Sequence, residues 1–147
     1  MSKGNIKVGI TIGDFNGIGM ELIIKTFLDV RILENITPIV YGSSQIATFY
    51  RKELERNDFN FNKISNASGA KENKANLICL WEEEVAVEIG KSTEVAGRYA
   101  FKSLEAATED LAAGKIDVLV TAPINKKNIQ SDKFNFPGHT EYLTKYS

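Results

Sequence analysis

Short apolar runs suited to strands alternate along this chain with segments whose apolar residues recur at helical spacing, and this alternation limits the fold more than any other feature. Residues 6–12, Ile-Lys-Val-Gly-Ile-Thr-Ile, are rich in β-branched side chains. After a glycine-containing loop, Ile18, Leu22, Ile23 and Phe27 recur at helical spacing down to about Leu33. Residues 37–42 read as a second strand, with Pro38 near its start. Ser43 or Ser44 then caps a helix carrying Ile46, Phe49, Tyr50 and Leu54 on one side. Residues 59–64 are a weaker strand candidate, and 65–74, rich in Ser, Asn, Gly, Lys and Glu, read as a surface loop. A buried strand is expected at 77–81 and a short edge piece at 85–89. Ser92 or Thr93 opens the longest helix, whose inner stripe is Ala96, Tyr99, Ala100, Ser103, Leu104, Ala107 and Leu111, and Gly114 stops it. Residues 117–121 are the last strand. Strands separated by helices require right-handed crossovers, so the expected class is α/β, three-layered, with a largely parallel sheet.

Charge removes some classes of function. Lys and Arg number 18 against 19 Asp and Glu, a net charge of -1. An electrostatic nucleic-acid binder would carry a strong basic excess. Cys79 is the single cysteine, so no intrachain disulfide forms, and its apolar run predicts a buried structural thiol. Met1-Ser2-Lys3-Gly4-Asn5 lacks the apolar core of a secretion signal, and no apolar stretch reaches membrane-spanning length. The expected location is the cytoplasm, away from membranes.

Chemistry-bearing residues gather in three loops. Gly13, Gly17 and Gly19 lie between a strand and a helix, where missing side chains permit a tight turn or close approach to a ligand. The spacing is neither a Rossmann GxGxxG nor a Walker A, so a plain strand-to-helix turn and an anion-binding turn both fit. Asp14 in this loop caps the helix, faces solvent or lines a cleft. In the second loop, the strand Val118-Leu119-Val120-Thr121 runs into Ala122-Pro123-Ile124-Asn125-Lys126, and the proline ends the ladder. Lys126 belongs either to a solvated basic turn with Lys127 or to a phosphate or carboxylate contact. The third loop, Phe136-Pro137-Gly138-His139-Thr140-Glu141, delivers the chain's one histidine to the start of a helix. There His139 is either a structural residue or a hydrogen-bonding and proton-transfer group.

These stretches, TAPINK and FPGHTEYL, together with Gly13-Asp14-Phe15-Asn16-Gly17-Ile18-Gly19-Met20-Glu21, resemble three signatures of the 4-hydroxythreonine-4-phosphate dehydrogenases of pyridoxine biosynthesis. Phe15, Asn16 and Met20 stand where that family's usual pattern has Pro, Ala and Pro. These departures bear on the rigidity of the loop. The resemblance implies a fold similar to isocitrate and isopropylmalate dehydrogenases, with residues 1–128 in an N-terminal α/β domain and 129–147 opening a second. It implies NAD- or NADP-dependent oxidation of 4-phosphooxy-L-threonine and decarboxylation to 3-amino-2-oxopropyl phosphate, by a homodimer. It also implies that His139 and Thr140 contact the substrate, and it favours a cleft position for Asp14 and Lys126. The family's divalent metal (zinc, magnesium or cobalt) is held by histidines, so with His139 assigned to substrate its ligands are expected beyond Ser147. Members of the family are much longer than 147 residues. Tyr142, Leu143 and Tyr146 form an apolar stripe with nothing left to cover it, so the chain is expected to be the N-terminal portion of a longer protein, inactive alone and without catalytic residues of its own. Two other readings remain: a sister dehydrogenase of threonate or erythronate 4-phosphate, and a non-catalytic ligand-binding module.

Overall fold

A computed structural model describes residues 5–122. The elements follow in the order β1 (Ile6–Thr11), α1 (Gly19–Phe27), β2 (Ile36–Gly42), α2 (Ser44–Glu53), β3 (Asn62–Ile64), β4 (Asn76–Cys79), α3 (Glu94–Ala112) and β5 (Val118–Thr121). Single 3-10 turns lie at Ile32–Glu34 and Ala67–Gly69. The strands described make one sheet of order β3-β4-β2-β1-β5, and every pair in it is parallel. The expected α/β class with a parallel sheet is what the chain adopts.

Alternation along each strand divides the core into two layers. Val8, Ile10, Val40 and Leu77 pack with Met20, Ile23, Ile24 and Phe27 of α1 and with Ile46, Ala47 and Tyr50 of α2. Ile39, Tyr41 and Ile78 point to the opposite face, against Ala107 of α3 and Ile116. Ser103, fully buried in α3, fastens that helix to the sheet. Its hydroxyl accepts from Ile12 N at 3.2 Å and donates to Tyr41 O at 2.6 Å. Tyr41 Oη in turn donates to Asp110 Oδ2 at 2.7 Å. Burial first, and that bond second, push the phenol's pKa well above its ordinary value.

Caps set most helix boundaries. Ser43 accepts from Ile46 N at 3.2 Å and Thr93 accepts from Ala96 N at 3.1 Å, each satisfying an orphan donor of the first turn. At the far end of α3, Gly114 has φ of 75°. Gly114 N bonds Leu111 O at 3.1 Å and Lys115 N bonds Asp110 O at 2.8 Å, the paired bonds of a Schellman stop.

Four segments depart from the sequence reading by more than one residue. The first helix ends at Phe27, not near Leu33, because Asp29 Oδ1 takes the Arg31 N–H at 3.1 Å and tightens the chain into a 3-10 turn. Leu33 stays buried all the same. The strand proposed at 59–64 forms only over Asn62–Ile64, and that at 77–81 runs from Asn76 to Cys79. Cys79 is half-buried, not sealed in the core, and its thiol donates to Trp81 O at 3.0 Å. Residues 85–89 form no strand, because side chains take the backbone bonds a neighbouring strand would need. Gln45 clasps Val85 through N–H and carbonyl at 2.9 and 2.7 Å, and Asn16 Oδ1 accepts from Glu88 N at 2.7 Å.

Gly114→Ala places a side chain in a left-handed conformation, and is expected to lower unfolding free energy by about 1–2 kcal/mol. Space is not the issue, since nothing lies within 4 Å of the added Cβ. Denaturant unfolding of the two proteins measures the difference.

Candidate functional site

The order of the strands locates a crevice. β1 connects to β2 through α1 on one face, whereas β5 is reached from β4 through α3 on the other. The connection out of β1 and the connection into β5 therefore run on opposite faces of the sheet, and open α/β sheets bind ligands at such a switch point.

The loop after β1 is built by its own polar groups. Gly13 has φ of 67°, a left-handed conformation that turns the chain off the strand. Asp14 follows, 9% exposed. Its carboxylate accepts from Asn16 N at 2.8 Å while its carbonyl accepts from Gly17 N at 2.9 Å. This acid thus folds the loop around itself, as Asp does in turns. Gly19 then opens α1, and a Cβ there would lie 2.3 Å from Ile12 O and 2.9 Å from Ala122 Cβ. The missing side chain serves close packing of helix on strand. Ala122 N bonds Thr11 O and Thr11 Oγ1, each at 3.3 Å, so the glycine loop and the exit from β5 start side by side.

α1 is the one helix of the three described that has no side-chain cap; Ile18 occupies its N-cap position. A helix start, with the positive end of the dipole, favours an anion. Around it the loop is anchored at two of the three positions where this chain departs from the usual signature. Phe15 is buried, its ring 6.3 Å from that of Tyr99, and its carbonyl accepts a short hydrogen bond from Tyr50 Oη. Asn16 is 2% exposed and bridges to the segment before α3. It accepts from Glu88 N, donates to Lys91 O at 3.1 Å and to Thr93 Oγ1 at 3.4 Å, and its own carbonyl takes Gly90 N at 2.9 Å. The sequence flagged Asn16 only as a departure. Its four-way tie depends on residues more than seventy positions away, which no local pattern shows.

Of the four residues singled out from sequence, the structure describes only Asp14, nearly buried in the loop after β1. Lys126, His139 and Thr140 lie outside the described residues, as does the expected domain boundary at 128. Among the described residues no three His, Cys, Asp or Glu side chains come together as a metal site requires, so residues 5–122 do not fit the divalent metal. No helix among them is long and apolar enough to cross a membrane.

The layered parallel sheet and its switch-point crevice define a three-layer α/β domain of the kind that binds small ligands beyond its strand ends. Within that class the chain belongs to the pyridoxal phosphate biosynthetic protein PdxA family, whose model matches residues 34–147. It is 48% identical over 143 residues to a 4-hydroxythreonine-4-phosphate dehydrogenase of Bacteroides thetaiotaomicron, an alignment covering 97% of this chain and 39% of the relative. A protein of Oceanobacillus iheyensis, provisionally named a D-threonate 4-phosphate dehydrogenase, is 34% identical over 146 residues, covering 97% of this chain and 43% of that one. The crystal structure of a 4-hydroxythreonine-4-phosphate dehydrogenase from Burkholderia phymatum superposes with a TM-score of 0.87 at 27% identity, over 98% of this chain and 44% of the other. The chain thus spans about two fifths of the length of the relatives it matches.

Asn16→Ala strands the Glu88 amide and the Lys91 carbonyl, and is expected to cost about 2–4 kcal/mol, two to three bonds of roughly 1 kcal/mol with a desolvation penalty. Amide hydrogen exchange at Glu88 and Gly90 should accelerate well beyond the change in the sheet. Uniform acceleration everywhere would show that Asn16 contributes to global stability without tying the loop.

Tyr50 supplies a pH test. Burial first, then the charges of Asp14, Glu21 and Glu53, push its phenol from 10.0 up to about 12. The unfolded chain therefore releases this proton first, so the stabilising contribution is intact below pH 10 and declines as pH rises to about 12. Tyr50→Phe is expected to flatten the alkaline fall in melting temperature over that window. Part of the fall remains, because Tyr41 is shifted in the same direction.

Proposed function

We propose that the protein carrying this chain is an NAD(P)-dependent 4-hydroxythreonine-4-phosphate dehydrogenase acting in pyridoxal 5'-phosphate biosynthesis. The observation that carries this reading is the 48% identity to a relative of that name, on a chain whose glycine loop and β5 exit meet at one crevice. The substrate is 4-phosphooxy-L-threonine. Hydride passes from its hydroxyl-bearing carbon to the nicotinamide while the hydroxyl proton leaves, giving a β-keto acid. The bond to the carboxylate then breaks, carbon dioxide departs, and the electron pair left behind is protonated to yield 3-amino-2-oxopropyl phosphate.

In this reading His139 and Thr140 orient the phosphorylated substrate, and Asp14 and Lys126 line the cleft. The Asp14 carboxylate, already committed to Asn16 N, shapes the loop more than it handles protons. The working unit is a cytoplasmic homodimer, and NAD or NADP is the electron acceptor. The divalent metal (zinc, magnesium or cobalt) would polarise the hydroxyl when bound, and this reading takes its ligands from beyond Ser147. A second reading, oxidation of threonate 4-phosphate, is favoured by the relative 34% identical that carries such a name.

Turnover of both substrates by the full-length protein, followed as NADH or NADPH absorbance, separates the two. The expected result is a kcat/KM at least roughly tenfold higher for the amino acid, about 1.4 kcal/mol of transition-state discrimination. A preference for the threonate overturns the first reading in favour of the second. His139→Ala should weaken binding of the phosphorylated substrate and leave metal content unchanged. Metal loss with intact substrate affinity would instead make His139 a ligand.

A further inference from the structure

At the opposite edge of the sheet from β5, α2 and β3 enclose a groove of about 180 Å³. Ser44, Thr48 and Arg51, spaced four and three residues apart, line it from one face of α2. Lys63 of β3 and Asn60 and Phe61 just before it form the facing wall, and no carboxylate lines the groove.

Neither cation there, Arg51 or Lys63, has an ion-pair partner among the described residues. Arg51 Nη1 donates to Phe59 O at 3.2 Å and to Asn60 Oδ1, so its partners are neutral oxygens that hold the guanidinium still without cancelling its charge. Its Nε is sealed from solvent and has no acceptor. A half-buried cation with neutral partners leaves an electrostatic deficit, and an oxyanion is the group that fills it best, through charge-assisted bonds. Hydroxyls at Ser44 and Thr48 add neutral donors along the same wall. The volume is below the ~300–1,000 Å³ of sites for drug-sized ligands and cofactors, which excludes a dinucleotide.

We propose that this groove binds a small oxyanion, the phosphate or carboxylate group of a metabolite. It is a site apart from the crevice, because β4 and β2 lie between β3 and β1, a separation of roughly 14 Å at ordinary strand spacing. Binding there bridges α2 to the edge strand through Arg51 and Lys63.

Crystals of the full-length protein soaked in tungstate test this, because the anomalous signal locates the anion. A peak between Arg51 and Lys63 is expected. Lys63→Gln should raise the concentration for half-occupancy at least roughly tenfold, the loss expected for one charge-assisted bond. Lys63 is exposed on an edge strand, so this variant is expected to fold; the companion Arg51→Met removes the other cation. Competing the peak away with inorganic phosphate or glycerol phosphate identifies a phosphate site, and with malonate a carboxylate site. A groove without a peak, occupancy unchanged by Lys63→Gln, or displacement by none of these competitors overturns the proposal.

Discussion

The approach of α1 to the end of β1 governs the carboxyl edge of this sheet. With no side chain at Gly19, the first turn of the helix rests on the Ile12 carbonyl and on Ala122. A methyl group at 2.3 Å from a backbone oxygen cannot be accommodated by rotating a side chain; the helix itself would have to move. Because Ala122 continues β5, the same contact sets the distance between the glycine loop and the end of β5. Helix, central strand and β5 exit thus share one geometric requirement.

The departures from the usual signature find their meaning in what surrounds that contact. Prolines stiffen a loop by fixing φ. This chain has Phe15 and Met20 at those positions, both almost completely buried, and Asn16 beside them with bonds to the segment before α3. Restraint moves from local torsions to long-range packing and hydrogen bonding. One consequence is that order in the glycine loop is coupled to order in residues 85–93, which have no ladder of their own and borrow partners from Asn16 and Gln45.

What could be read in advance divides along the range of the forces involved. α2 and α3 were legible to within a residue, Ser43 and Thr93 each being one of two candidate caps and Gly114 the expected stop, because caps act within four residues. The strands β1 and β2 announced themselves by β-branched runs. By contrast, Asn76 fell between the loop read at 65–74 and the strand expected at 77–81. It starts β4, completely buried, donating to Pro38 O at 3.0 Å and accepting from Lys71 N at 3.0 Å. The early end of α1 depended on one aspartate competing for a backbone amide. At the candidate site, Asp14 was legible as a loop residue, but its turn-forming bond to Asn16 was not among the three alternatives left open. Lys126, His139 and Thr140 were singled out from their motifs and lie outside the described residues.

The pairing of β1 with β5 also has a temporal side. Val8 lies opposite Val118, partners 110 residues apart, so one edge of the central strand has no hydrogen-bonding neighbour until nearly all of this segment has been synthesised. At ribosomal rates of about 5–20 residues per second, that interval is roughly 5–20 s. Throughout it the nascent chain presents an open, β-branched edge of the sort that recruits other strands. The crevice, which needs both strands, is therefore among the last parts of the segment to be assembled, and the polypeptide depends in the meantime on whatever shields β1.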